Sequence, residues 1–415
     1  MYFRKILPLI ILLPAVLFFK SCDFSADSPT SSVTGVVYSL DHVPIENLKV
    51  TVNGQAVYTS NDGRFAFNVI SFPYDLIVTD SLNRTVVIYK RLSVSNIELP
   101  LFRYANNNNY AGVNVQIPEE IFQPNTKCVI LFTDGNFINS YTVVNEFHQN
   151  IEFNVALNNN SSVTGKLIAL TYKKDNNGNI ISYDNYGESP EIQLVDGNTF
   201  NYSFDSAALS LNPGEQTINC SINIQAQPYF TKFYLNFASK NSFFNSKGII
   251  FSYLVGYHFN FKIPTGLPSP FNTIVNNQSY TNSGSSIEDF SVFPNSSNDL
   301  IIKIPPQLIS PDDNTKNVNI STPFSFNSGS GNGVYEISIH NMSRNTDYSI
   351  VTSDNNFTLE GLEDLGLGRI NNNIFNWKVR KSGPANSMNE YVSGFFNEQN
   401  QFYSQSEYRN FSTEP

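Results

Sequence analysis

From residue 33 onward, hydrophobic and polar residues alternate with period two, as in Lys49-Val50-Thr51-Val52, Asn201-Tyr202-Ser203-Phe204 and Tyr335-Glu336-Ile337-Ser338-Ile339. Successive side chains of a strand point to opposite faces, so such runs predict strands with one buried and one wet face. Turn residues bound them, as in Asp134-Gly135-Asn136, Asp175-Asn176-Asn177-Gly178-Asn179 and Asp196-Gly197-Asn198. Short alternating runs joined by such turns predict antiparallel pairing. No convincing amphipathic helix is visible. The fold class expected is all-β, a tandem of antiparallel β-sandwiches.

The chain has 415 residues, enough for three or four modules of ~100 residues each. Breaks in the pattern predict sandwiches over 33–100, 101–198, 199–305 and 306–396. The Pro-, Ser- and Asn-rich stretch 264–298 is expected to be a long loop. The polar tail 397–415 is expected to fray, although Phe402, Tyr403, Tyr408 and Phe411 could dock it. Charged residues make up 14% and aromatic residues 14%, with 34 Phe and 22 Tyr. So few charges and so many strand-favouring rings exclude a solvated, disordered chain.

Residues 1–21 stand apart from this pattern. Arg4 and Lys5 precede an apolar run, Ile6 to Phe19, broken by Pro8 and Pro14 and followed by Lys20-Ser21-Cys22. The run is too short to cross a ~30 Å hydrocarbon core comfortably and has the layout of a cleaved secretory signal. Ser21-Cys22 resembles the lipobox of bacterial lipoproteins, with Phe19 and Lys20 standing where that family usually has Leu and a small residue. The resemblance implies lipidation of Cys22, which becomes the mature N-terminus and holds the protein on the cell envelope, most simply on the outer membrane. Residues 22–32 are then a small, polar tether. Removing 1–21 takes away Arg4, Lys5 and Lys20 and no acid, so the net charge of −10 becomes −13. An acidic chain without a basic stripe excludes nucleic acid as a partner.

Two modules carry resemblances. Residues 33–100 contain Val33-Thr34-Gly35-Val36-Val37-Tyr38, Asn61-Asp62-Gly63-Arg64-Phe65-Ala66-Phe67 and Tyr74-Asp75-Leu76-Ile77-Val78. This is similar to the carboxypeptidase regulatory-like domain, a transthyretin-like sandwich that is non-catalytic and serves as a spacer or docking module. Residues 306–396 contain Leu308-Ile309-Ser310-Pro311, Pro323-Phe324-Ser325-Phe326 and Phe375-Asn376-Trp377-Lys378-Val379-Arg380. This resembles a fibronectin type III domain, an Ig-like sandwich with Trp377 in its core. Phe375 replaces the tyrosine-corner residue, and 363–373 is longer than the usual connection.

The search for chemistry returns no catalytic, cofactor or metal site. His42, His148, His258 and His340 lie in separate segments, and no H-E-x-x-H, C-x-x-C or G-x-S-x-G occurs. Gly329-Ser330-Gly331-Asn332-Gly333 sits between strands and reads as a loop, not a phosphate cradle. Asp175 to Asn179 offers alternating oxygens, yet lacks a closing Glu and reads as a hairpin turn rather than a calcium loop. Asp312-Asp313 and Glu119-Glu120 are adjacent acids whose side chains diverge. The aromatic stripe Tyr253, Tyr257, Phe259, Phe261 suits cross-strand packing better than a sugar platform. Asp80-Ser81-Leu82 and Asp205-Ser206-Ala207 match a short O-glycosylation pattern. Cys128 and Cys220 could pair or remain buried thiols.

The function expected is therefore binding or adhesion: an anchored, non-enzymatic module that captures a glycan or protein at the surface or in the periplasm. The alternative is a structural accessory subunit of an outer-membrane uptake, secretion or motility assembly.

Overall fold

A computed structural model of the chain describes residues 30–39, 43–101, 109–135, 139–223, 228–237, 248–254, 258–267, 271–281, 284–291, 298–362, 371–394 and 402–415. The expected signal over 1–21, Cys22 and His42 lie outside the described residues. The described chain is all-β, and its strands build six sheets.

The first seven strands are β1 (Thr30–Tyr38), β2 (Lys49–Val52), β3 (Gln55–Tyr58), β4 (Arg64–Ser71), β5 (Tyr74–Asp80), β6 (Thr85–Leu92) and β7 (Asn96–Pro100). Next come β8 (Tyr110–Gln116), β9 (Thr126–Thr133), β10 (Asn139–Val144), β11 (Ile151–Ala156), β12 (Ser162–Lys174), β13 (Ile180–Glu188), β14 (Ile192–Val195) and β15 (Thr199–Ser203). The third group is β16 (Glu215–Asn223), β17 (Pro228–Phe237), β18 (Gly248–Leu254), β19 (His258–Pro264), β20 (Phe271–Thr281), β21 (Gly284–Ser291) and β22 (Asn298–Ile301). The last opens with β23 (Gln307–Ser310), β24 (Thr315–Val318), β25 (Phe324–Asn327), β26 (Val334–Asn341), β27 (Thr346–Thr352), β28 (Asn356–Phe357) and β29 (Ile374–Gly383). It closes with α1 (Met388–Gly394), β30 (Phe402–Ser406) and β31 (Arg409–Thr413).

The two ends of the chain share one sheet. Strand β6 pairs in parallel with β27, Thr85 opposite Asp347 and Tyr89 opposite Val351. This joins β3-β2-β5-β6 to β27-β26-β29 within a 14-stranded sheet. The three-stranded sheet β4-β1-β7 covers one face of it, and β23-β25-β28 covers the other. Strand β6 is buried on both sides: Val87 and Tyr89 enter the first core, and Val86 and Ile88 enter the second. The first core is completed from the far end of the chain by Val334, Val351, Ala385, Met388, Tyr391 and Val392, with α1 acting as its plug. Phe65 and Phe67 lie inside it, and Gly63, at φ +72°, turns the chain into β4 at a point where a Cβ would meet the Val37 carbonyl at 2.8 Å.

The middle of the chain is three-layered. Sheet β10-β9-β12-β13 has β11-β8-β15 on one side and β19-β16-β22 on the other. Cys128, Ile130 and Phe132 of β9 face the first of these, and Val129 and Leu131 face the second. Cys128 and Cys220 therefore sit in different cores, both buried and both free thiols. Burial pushes each thiol up to about 12.

Three expectations are corrected. The stretch 264–298 is not one long loop, because β20 and β21 pair across it. Residues 402–415 of the tail do not fray: β30 and β31 both pair with β29, driven by burial of Phe402 and Phe411. Phe411 stacks on Phe375 at 5.1 Å, so a ring contact occupies the position where the tyrosine-corner residue was expected. A short helix, α1, is present where none was read, since seven residues are too few to show a helical period. The long connection 363–373 falls mostly outside the described residues.

Candidate functional site: a polar groove on the shared sheet

Alternation builds this site. In β26, Ile337 and Ile339 point into the core around Trp377, which sends Glu336, Ser338 and His340 to the opposite face. In β29, Trp377 and Val379 go inward and Asn376, Lys378 and Arg380 outward, while β27 adds Asp347 and Ser349. Register aligns them: His340 lies opposite Asp347 and Asn376, and Ser338 opposite Ser349 and Lys378. Asn83 and Thr85 continue the surface onto β6, and Tyr408 borders it, enclosing a groove of about 680 Å³.

Tyr408 is placed by a break in pairing. Strand β30 pairs with β29 over Arg380 to Gly383, and β31 pairs with it over Ile374 to Trp377. The chain crosses between these registers at Glu407-Tyr408. Ser406 Oγ accepts the Val379 N–H at 2.9 Å and donates to the Glu407 carbonyl at 2.7 Å, holding the crossing in place. The Tyr408 residue is 57% exposed, and Lys378 Nζ stands 4.7 Å from its ring centre.

The charges of the groove are largely paired. Glu336, only 5% exposed, forms an ion pair with Arg380 and accepts from Ser349 Oγ at 3.3 Å. Removing one member of so buried a pair costs about 3–5 kcal/mol, because it strands the other charge. His340 Nδ1 lies 2.7 Å from Asp347 Oδ1. Lys378 donates to Gln405 Oε1 at 3.4 Å and has no carboxylate partner among the described residues. His340 and Asp347 have the spacing of an oriented base, but no hydroxyl hydrogen-bonds His340 among the described residues. Ser338 and Ser349 belong to the next row of the sheet. The arrangement presents fixed donors and acceptors to a polar ligand.

The other residues singled out in the sequence are scattered. His148 is exposed, 3.9 Å from Glu146, and His258 is exposed in β19. Asp175 closes its own hairpin, accepting the N–H groups of Asn177 and Asn179 at 2.9 and 2.8 Å, and these bonds, with the Asn179 side chain foremost, lower its carboxyl pKa. The Gly329–Gly333 loop folds over Lys381, whose Nζ donates to the Ser328 carbonyl at 2.9 Å and to that of Gly331. Burial lowers the Lys381 pKa. Asp313 accepts the Asn410 N–H at 2.7 Å, and Glu120 accepts from Ser206 Oγ, so the acid pairs serve separate contacts. Ser81 is exposed beside buried Asp80. Of the aromatic stripe, Phe261 is a core residue and the other rings lie outside the described side chains. Among the described residues no group of three or more His, Cys, Asp or Glu is placed to hold a metal ion.

Of the groove, the sequence singled out His340 in the search for chemistry and Tyr408 only as a residue that could dock the tail. The signal was present in Glu336-x-Ser338-x-His340 and Asn376-x-Lys378-x-Arg380, but period two marks a wet face without showing that four strands share it.

No family model matches the chain, and no curated protein matches it. Among solved structures it is similar to the Bacillus anthracis TIE protein, at 12% identity and TM-score 0.16, over 66% of this chain and 50% of that one. It is also similar to the major pilin subunit BcpA of Bacillus cereus, at 9% identity and TM-score 0.14, over 66% of this chain and 99% of that one. A tetra-tandem repeat from the extending region of a large adhesion protein matches at 11% identity and TM-score 0.17, over 93% and 100%. The match spans half the length of the TIE protein. Likenesses this weak carry no argument about function.

Proposed function

We propose that the chain is a lipid-anchored envelope protein, held by Cys22 on the outer membrane, that binds a glycan or protein without transforming it. The carrying observation is the groove: polar side chains from four strands of one sheet, with an exposed ring at its border. The lipobox-like Ser21-Cys22 supports the anchor, and no described helix is long and apolar enough to cross a membrane. The carboxypeptidase regulatory-like and fibronectin type III-like readings of the end modules belong to this proposal, both being non-catalytic. Labelling with a palmitate analogue tests the anchor: the label should be lost in Cys22→Ala, and persistence of label there would refute it. A mild-detergent pull-down from the native envelope tests binding, which Tyr408→Ala should abolish.

The accessory-subunit reading has one observation in its favour. Strand β3 pairs only with β2 among the described residues and carries Tyr58 at 65% exposure. A free edge can accept a strand from another chain. A stoichiometric membrane partner that survives Tyr408→Ala would move the assignment to that reading.

A further inference from the structure

We propose that the groove takes a saccharide bearing one carboxylate, a uronic-acid-type residue within an otherwise neutral glycan. This rests on the binding reading above and assigns its ligand class.

The argument starts from charge. Glu336 and Arg380 neutralise each other, and His340 is committed to Asp347. Lys378 is the one lining cation without an acidic partner among the described residues, bonded only to a neutral amide at 3.4 Å. A carboxylate offers Lys378 Nζ a charge-assisted bond that Gln405 cannot. The same ammonium lies over the Tyr408 ring, 4.7 Å from its centre, so a sugar whose carboxylate meets the amine lies beside the ring and can touch its edge. Around this point Ser338 and Asn376 supply a hydroxyl and an amide in rows set by the sheet register, suited to the hydroxyls of neighbouring sugars, and Asn83 lines the groove from the turn before β6. A neutral peptide has no comparable use for the lysine.

Charge also limits the ligand. The chain carries net −10, so a polyanion is repelled at long range and finds one available cation on arrival. One cation fits one carboxylate, which disfavours polyuronates.

The test is calorimetric titration of the folded chain with three probes: a trisaccharide containing one glucuronic acid, its analogue with glucose at that position, and polygalacturonate. The expected result is binding of the first, at least about tenfold weaker binding of the second, and no tighter binding of the polymer per site. Lys378→Met keeps the side-chain stem and should erase the difference between the first two probes. Tyr408→Ala should weaken both, with Trp377 fluorescence confirming that each variant is folded. Equal binding of the neutral analogue, or an unchanged preference in Lys378→Met, overturns the carboxylate assignment while the groove remains a binding site. If no saccharide binds while Tyr408→Ala still abolishes envelope capture, the ligand class is wrong and the binding reading stands. If Tyr408→Ala affects neither, both fall.

Discussion

Tyr391 tests whether the two ends of the chain fold as one unit. It lies on α1, more than 290 residues from β6 and β7 in sequence, yet it is 3% exposed inside the first core. Truncating a buried aromatic residue to Ala costs about 3–5 kcal/mol, combining lost transfer energy with an unfilled cavity. A domain's whole stability is about 5–15 kcal/mol, so the loss is easily measured. In Tyr391→Ala, native-state hydrogen exchange should show amides of β5, β6 and β7 losing about 3–5 kcal/mol of protection. Denaturation followed at Trp377, the single tryptophan, should shift in step, because β6 is wedged between that residue's core and the first one. Protection in β5–β7 unchanged within about 0.5 kcal/mol, with exchange raised only in α1, would refute the shared core. So would a fragment ending at Leu101 that unfolds cooperatively at full stability.

Two further predictions concern the middle of the chain. In a soluble variant lacking residues 1–22, Cys128 and Cys220 should resist a thiol reagent at pH 8 until denaturant is added, since each sits in a dry core with its pKa raised to about 12; fast labelling of either without denaturant would contradict that burial. Glu188 is pushed up by burial but pulled further down by the Tyr186 hydroxyl and Lys166, leaving its pKa below the ordinary 4.5. A carboxyl lowered on folding stabilises the protein above its unfolded value and loses that contribution as pH falls through the folded one. Glu188→Gln should therefore reduce the stability lost below pH 4.5 by about 0.2–1 kcal/mol, the pair being partly exposed; acid-denaturation curves identical to wild type would refute this.

What the sequence determined by itself is the local architecture, because strand geometry ties side-chain direction to period two. Phe65 and Phe67, Ile337 and Ile339, and Trp377 and Val379 are core pairs readable from spacing alone, and all of them are buried. The unbroken apolar runs Val86-Val87-Ile88-Tyr89 and Cys128-Val129-Ile130-Leu131-Phe132 depart from the alternation with one wet face that was expected, and in the structure both strands are covered on both faces. Which layers cover them was decided by tertiary structure. The parallel pairing of β6 with β27 joins residues some 260 apart, and hydrogen bonds between backbones carry no sequence signature that names the partner. The β26–β27 and β26–β29 pairings turn three separately unremarkable polar faces, together with Tyr408, into one groove, which the β6–β27 pairing extends to Thr85. Composition could mark those positions as wet, but only the register placed Asn376, His340 and Asp347 side by side with Lys378 in the next row, since cross-strand neighbours are set by strand order and not by position along the chain.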